Sequence, residues 1–183
     1  LAHVDPLMRG IRQVCPGTLV GVSTGAWIEN NVDRTRDLIS GWSVLPDYAS
    51  VNLSEADAPA IMKLPSHKGV GIEAGLATVA DAKRFVTLPE CNKVFRVLFE
   101  IEEQDLDRAK AVLDGIVAVL DEAEIQRPIL LHGFDATVWH FVAEAQARRW
   151  STRVGLEDGC LLQDQSMAPS NASLVAEAVA LWN

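Results

Sequence analysis

Short runs of apolar residues alternate along this chain with longer segments whose apolar positions recur at helical spacing. From Pro6 to Val14, Leu7, Met8, Ile11 and Val14 repeat as one helical face, and Pro16-Gly17 closes it. Leu19–Val22 then reads as a buried strand ending in Ser23-Thr24-Gly25. A helix is expected over Asn31–Trp42 with Asn30 or Asn31 as its cap, then a strand over Tyr48–Leu53, then a helix over Glu55–Leu64 stopped by Pro65. The pattern continues with a strand at Gly69–Ala74, a Thr78-capped helix to Val86, and a strand at Lys93–Glu100. The longest helix is expected over Asp105–Ala123. A strand at Ile129–His132, a helix at Ala136–Arg148, a strand at Thr152–Leu156 and a closing helix at Asn171–Leu181 complete the series.

Such alternation predicts an α/β protein: a parallel sheet covered by helices. No Pro/Gly/Ser-rich linker interrupts it, so residues 1–183 are expected to form a single domain. Polar residues gather where strands end. Ser23 and Thr24, Asn52 and Ser54, Glu73, Glu100, His132, and Glu157 with Asp158 all fall at or just past a strand's C-terminal end. That edge carries the active site in a (β/α)8 barrel and the ligand crevice in an open doubly wound sheet, so the pattern supports an enzyme under either architecture.

One stretch concentrates the chemistry. Arg153-Val154-Gly155-Leu156-Glu157-Asp158 reads as a strand ending in two adjacent carboxylates. Metal binding, capture of a substrate amine or a general base would each explain the pair, and so would a salt-bridged strand end or the acidic first turn of a helix. Strand alternation would place Arg153, Gly155 and Glu157 on one face, with Gly155 leaving room and Asp158 turning in from the loop.

Bulk properties narrow the class. The formal net charge of −9 argues against a nucleic-acid binder, which would show a basic face. No apolar run reaches the ~20 residues that span a bilayer, and no signal peptide opens the sequence. Cys15, Cys91 and Cys160 are too few and too dispersed for a disulfide framework or a zinc knot, which fits a cytoplasmic protein with reduced thiols.

Arg153–Asp158, followed by Ser170-Asn171-Ala172-Ser173-Leu174-Val175, resembles the beta-keto acid cleavage enzyme family, whose type member is the 3-keto-5-aminohexanoate cleavage enzyme. Gly21–Trp27, Ala49–Glu55 and Gly69–Leu76 agree in the same order. The resemblance implies a (β/α)8 TIM barrel. About 250 residues are usual for that fold, and family members begin with two further strands. The expectation is therefore a barrel of which this chain carries six of eight units, starting at the helix after the second strand. The resemblance further implies a homo-oligomer, a tetramer or dimer, acting on small molecules.

The implied reaction takes a beta-keto acid and acetyl-CoA to acetoacetate and a new acyl-CoA. Family members use a divalent metal, usually zinc, held by an H-x-H pair and by the glutamate corresponding to Glu157. None of His3, His67, His132 and His140 stands in such a pair. The resemblance makes Asp158 the general base and Arg153 its partner, since a guanidinium beside a carboxylate favours the charged form. It places Glu73 at the distal end of the substrate, where the type member carries an amine. Ser23 or Thr24 could orient the thioester or cap the next turn, and Asn52 could face the pocket or form a turn. His132 could contact substrate or CoA or be a hydrogen-bonded core residue. Ser170 and Asn171 open a helix N-terminus that suits an anion or a plain cap, and Asn171 is carried as a candidate contact. Trp27 is expected at the pocket. The rival is a non-catalytic barrel remnant that binds an acyl-CoA or a small anion.

Overall fold

The computed structural model describes residues 1–182. Six parallel strands lie side by side in sequence order: β1 (Gly21–Ser23), β2 (Tyr48–Asn52), β3 (Gly71–Leu76), β4 (Arg96–Ile101), β5 (Ile129–Gly133) and β6 (Ser151–Thr152). Among the described residues eight α-helices accompany them: α1 (Val4–Val14), α2 (Ala26–Glu29), α3 (Val32–Ser40), α4 (Ala58–His67), α5 (Val79–Val86), α6 (Leu106–Glu122), α7 (Val138–Arg148) and α8 (Asn171–Leu181). The sheet curls into a half-barrel and is open, because β1 and β6 each pair with one neighbour among the described residues.

Alternation along the strands separates two environments. Ala49, Val51, Ile72, Ala74, Leu76, Val97, Phe99, Ile101 and Leu131 point outward and pack with Phe85, Leu113 and Ile116 of the helices in one core. Burying each such large side chain stabilises by about 1.5–3 kcal/mol. The opposite, inner face carries Ser23, Tyr48, Ser50, Asn52, Glu73, Arg96, Glu100 and His132, with Leu98 and Leu130 as its apolar members. Register ties these residues into rows: Ser50 beside Glu73 beside Arg96, Asn52 beside Gly75, and Glu100 beside His132.

Helix starts follow the sequence closely. Thr78 accepts from the Asp81 N–H while the Asp81 carboxylate accepts from the Thr78 N–H, a reciprocal cap. Asn31, Asp105 and Ser170 cap α3, α6 and α8 with their side chains.

Several boundaries differ from expectation. Pro65 does not stop α4; the helix runs on to His67, because a proline within the last turn forfeits only one ladder bond and Pro65 itself is buried. The chain before α3 forms a separate short helix, α2, which ends at Asn30 in the left-handed region (φ 51°). β6 covers only Ser151–Thr152 rather than Thr152–Leu156. There the Thr152 hydroxyl donates to the Leu131 carbonyl (2.8 Å), and no further residue of the segment joins the ladder.

Candidate functional site

Beyond Thr152 the backbone leaves the sheet and tightens into a turn. The N–H groups of Asp158 and Gly159 both donate to the Gly155 carbonyl, at 2.9 and 3.1 Å. Two further bonds pin the turn: Leu156 N–H to Asn171 Oδ1 (2.8 Å), and Asp135 N–H to the Asp158 carbonyl (2.7 Å). Asn171 thus fastens the turn to the start of α8, while Ser170 caps that helix.

This geometry replaces the strand alternation expected for Arg153–Glu157. Arg153 and Glu157 do not share a face, whereas Arg153 and Asp158, paired by the family resemblance, come together. Arg153 donates from Nη2 to Asp158 Oδ1 (2.8 Å) and from Nε to Oδ2 (3.2 Å), the two-point match of a planar guanidinium to a carboxylate. Asp158 is 1% exposed. Glu157 is exposed, with its carboxylate folded over Gly155, where a Cβ would collide with it. Burial works against the charge on Arg153, yet the hydrogen bond and charge of Asp158, helped by Glu100 and Glu157, raise its pKa above the ordinary arginine value.

His132 stands between two carboxylates. Its Nδ1 lies 3.5 Å from Asp158 Oδ1 and its Nε2 3.6 Å from Glu100 Oε1. The ring is buried, packs edge-on to Phe134 (centroids 5.0 Å apart), and neither nitrogen makes a hydrogen bond. Glu100 and Asn52 converge from opposite sides over Gly75, whose missing side chain leaves the space they occupy: a Cβ there would sit 2.7 Å from Asn52 Oδ1 and 3.0 Å from Glu100 Oε2. Arg153, Asp158, His132, Glu100 and Asn52 therefore form one polar arc around the C-terminal ends of β2, β4, β5 and β6.

The other sequence candidates occupy different positions. The buried Thr24 donates its hydroxyl to the Ser50 carbonyl (2.8 Å), and Ser23 Oγ accepts from the Gly25 N–H (3.3 Å), so both serve the turn after β1. Trp27 is 60% exposed and borders a cleft of about 520 Å³ between α2, α3 and the start of α4. Glu73 is buried and paired with Arg96 Nε, and Arg96 Nη2 donates to the Tyr48 oxygen (3.0 Å). Arg96 and Tyr48 were not among the candidates read from the sequence. The available signal was an arginine at an inward position of an otherwise apolar strand.

Zinc does not fit the residues present. Among the described residues no three His, Cys, Asp or Glu side chains converge to hold a metal ion, and Glu157 brings one exposed carboxylate. Among the described residues, no helix is long and apolar enough to cross a membrane.

Residues 109–183 match the model of the beta-keto acid cleavage enzyme family, which supports the family named from the sequence. The matched region contains the Arg153–Asp158 turn and α8. No curated protein matches the chain. Among solved structures, type I 3-dehydroquinate dehydratase from Clostridium difficile, determined with covalently modified comenic acid, superposes with a TM-score of 0.66. It shares 12% identity, and the match covers 98% of this chain and 75% of that one. At that identity the likeness shows the fold, a TIM-barrel-like α/β architecture.

Proposed function

We propose that this chain, whose residues 109–183 carry the sequence of the beta-keto acid cleavage enzyme family, belongs to an enzyme that cleaves a beta-keto acid with acetyl-CoA to give acetoacetate and an acyl-CoA. The observation that carries the reading is the buried Asp158 carboxylate held at two points by Arg153 on the polar inner face. The same reading takes the six strands as part of a (β/α)8 barrel, which the open sheet and the TIM-barrel-like neighbour support.

In this reading Asp158 accepts a proton from the acidic methylene between the keto and carboxylate groups. The carbanion attacks the acetyl-CoA carbonyl and CoA thiolate leaves. The thiolate then attacks the original ketone, the bond to the methylene carbon breaks, and the proton returns to that carbon, giving acetoacetate and the acyl-CoA. Arg153 fixes the direction of the Asp158 carboxylate, and a correctly aimed base is worth about 10²–10⁴ in rate. Arg153 keeps further N–H groups beyond the two that Asp158 uses, and a guanidinium suits a substrate carboxylate. His132 and Glu100 line the wall beside Asp158. No step passes through a metal, because the residues present offer it a single carboxylate.

The test is direct. The protein is incubated with acetyl-CoA and a panel of beta-keto acids, and acetoacetate and acyl-CoA are measured by mass spectrometry. Both products are expected with wild type and not with Asp158→Asn. The absence of both products across the panel, or normal turnover by the variant, would refute the reading. A second reading, a non-catalytic barrel that binds an acyl-CoA or a small anion, is favoured by the lack of a three-donor metal cluster among the described residues. It predicts ligand binding with no product.

A further inference from the structure

His132 is 1% exposed, and neither Nδ1 nor Nε2 makes a hydrogen bond. Buried polar atoms are nearly always paired, so two open nitrogens on one ring are unusual. The surroundings explain them. Register sets Glu100 directly beside His132 across the β4–β5 ladder. The bond from the Asp135 N–H to the Asp158 carbonyl (2.7 Å) ties the loop after β5 to the turn that carries Asp158. A carboxylate therefore faces each nitrogen, Asp158 Oδ1 at 3.5 Å from Nδ1 and Glu100 Oε1 at 3.6 Å from Nε2. Among the described residues Glu100 has no other ion-pair partner.

Counting donors fixes the state of the ring. An ionised carboxylate only accepts, and a neutral imidazole offers one N–H and one lone pair. That lone pair would face a carboxylate oxygen, two acceptors with no hydrogen between them, in the interior. With a proton on each nitrogen both contacts become attractive. Movements of under about 1 Å then bring them to the roughly 2.7–2.9 Å of a charged N–H···O bond. The row Arg153, Asp158, His132, Glu100 alternates plus, minus, plus, minus, and each carboxylate has a cation beside it. The two holds on Asp158 converge on one atom. Oδ1 accepts from Arg153 Nη2 at 2.8 Å and also faces His132 Nδ1, whereas Oδ2 accepts from Arg153 Nε alone, at 3.2 Å.

We infer that His132, carrying a proton on each nitrogen and backed by Glu100, is a positioning residue that holds Asp158 Oδ1 and leaves Oδ2 as the oxygen that takes the substrate proton. The inference rests on the proposed function for the reaction and on the buried row for the state of the ring. Glu100 acts through His132, and His132 through Asp158; neither has to touch the substrate.

Heteronuclear NMR of histidine-labelled protein at neutral pH reads the ring, whose signals are identified by their loss in His132→Phe. Both nitrogens are expected to be protonated in wild type and only one in Glu100→Gln. A singly protonated ring in wild type, or a doubly protonated one that Glu100→Gln leaves unchanged, overturns the inference. Turnover and melting are measured on the same proteins. His132→Phe is expected to lower kcat about tenfold or more with KM within about twofold of wild type. His132→Gln, which still donates to one carboxylate, is expected to lie between, and Glu100→Gln to lower kcat several-fold without a matching loss of stability. A raised KM with unchanged kcat would make His132 a substrate contact. Wild-type kcat in Glu100→Gln would leave the ring a packing role only. Either result overturns the inference while leaving the reaction standing. If His132→Phe does not fold, His132→Gln supplies the assignment and Glu100→Gln the kinetics. If wild type makes no product the proposed reaction fails, and the ring state in wild type and Glu100→Gln decides the row alone.

Discussion

Asp158 and Arg153 are five residues apart and meet side by side, Nη2 to Oδ1 at 2.8 Å and Nε to Oδ2 at 3.2 Å. No straight strand can do this, because an odd spacing puts two side chains on opposite faces. The turn at Gly155 brings them together, and Asn171 and Asp135 hold it there.

Replacing Arg153 separates position from charge. Arg153→Lys keeps a cation but loses the fork, and kcat is expected to fall roughly tenfold or more as Asp158 is released from its aim. Arg153→Ala strands a buried carboxylate and is expected to cost on the order of 2–3 kcal/mol in denaturant unfolding. Asp158→Asn should lower kcat by about 10² or more. Turnover assays beside urea melts check all three.

Gly75→Ala tests the gap between Asn52 and Glu100. The added Cβ meets the ends of two flexible side chains and no backbone atom closer than 3.5 Å, so the fold should survive with a loss of about 1 kcal/mol. Asn52 and Glu100 must move aside, and kcat/KM should fall roughly tenfold. A melting curve near wild type with reduced kcat/KM is the expected combination.

Thr24→Val removes the hydroxyl that donates to the Ser50 carbonyl and leaves that acceptor with the Thr24 backbone N–H alone, at 3.1 Å. The expected result is a stability loss of about 0.5–1.5 kcal/mol with KM for acetyl-CoA unchanged. A raised KM with wild-type stability would instead make Thr24 a thioester contact.

Acid stability should report on Asp47. Burial raises the pKa of this group, but the Val20 N–H (2.6 Å) and Arg12 Nη2 (2.6 Å) outweigh it and hold the carboxyl below the usual aspartate range. A folded-state pKa below the unfolded one means the unfolded chain binds more protons as pH falls. The stabilisation is thus complete above about pH 4 and is lost below it. Asp47→Asn should lower stability at neutral pH by on the order of 1 kcal/mol and flatten the loss below pH 4, as read by unfolding from pH 7 to 2.5.

The sequence by itself determined the alternation of strands and helices, because the two periodicities, 2 and 3.6, are local properties of the chain. It determined the helix caps at Thr78 and Ser170 and narrowed that of α3 to Asn30 or Asn31, since a cap is made by residues three apart. It also singled out Arg153, Glu157 and Asp158, whose charges have no reason to follow an apolar strand. The resemblance paired Arg153 with Asp158, and tertiary structure decided how they meet and where Glu157 goes. The turn at Gly155 depends on bonds to Asn171 and Asp135, 15 and 23 residues away from the groups they hold, and it sends Asp158 inward and Glu157 outward. The partner of Glu73 was likewise settled by register: Arg96 stands directly beside it across the β3–β4 ladder, 23 residues along the chain. Pairing across a parallel sheet joins residues separated by a whole helix, and no local pattern in a single sequence encodes that register.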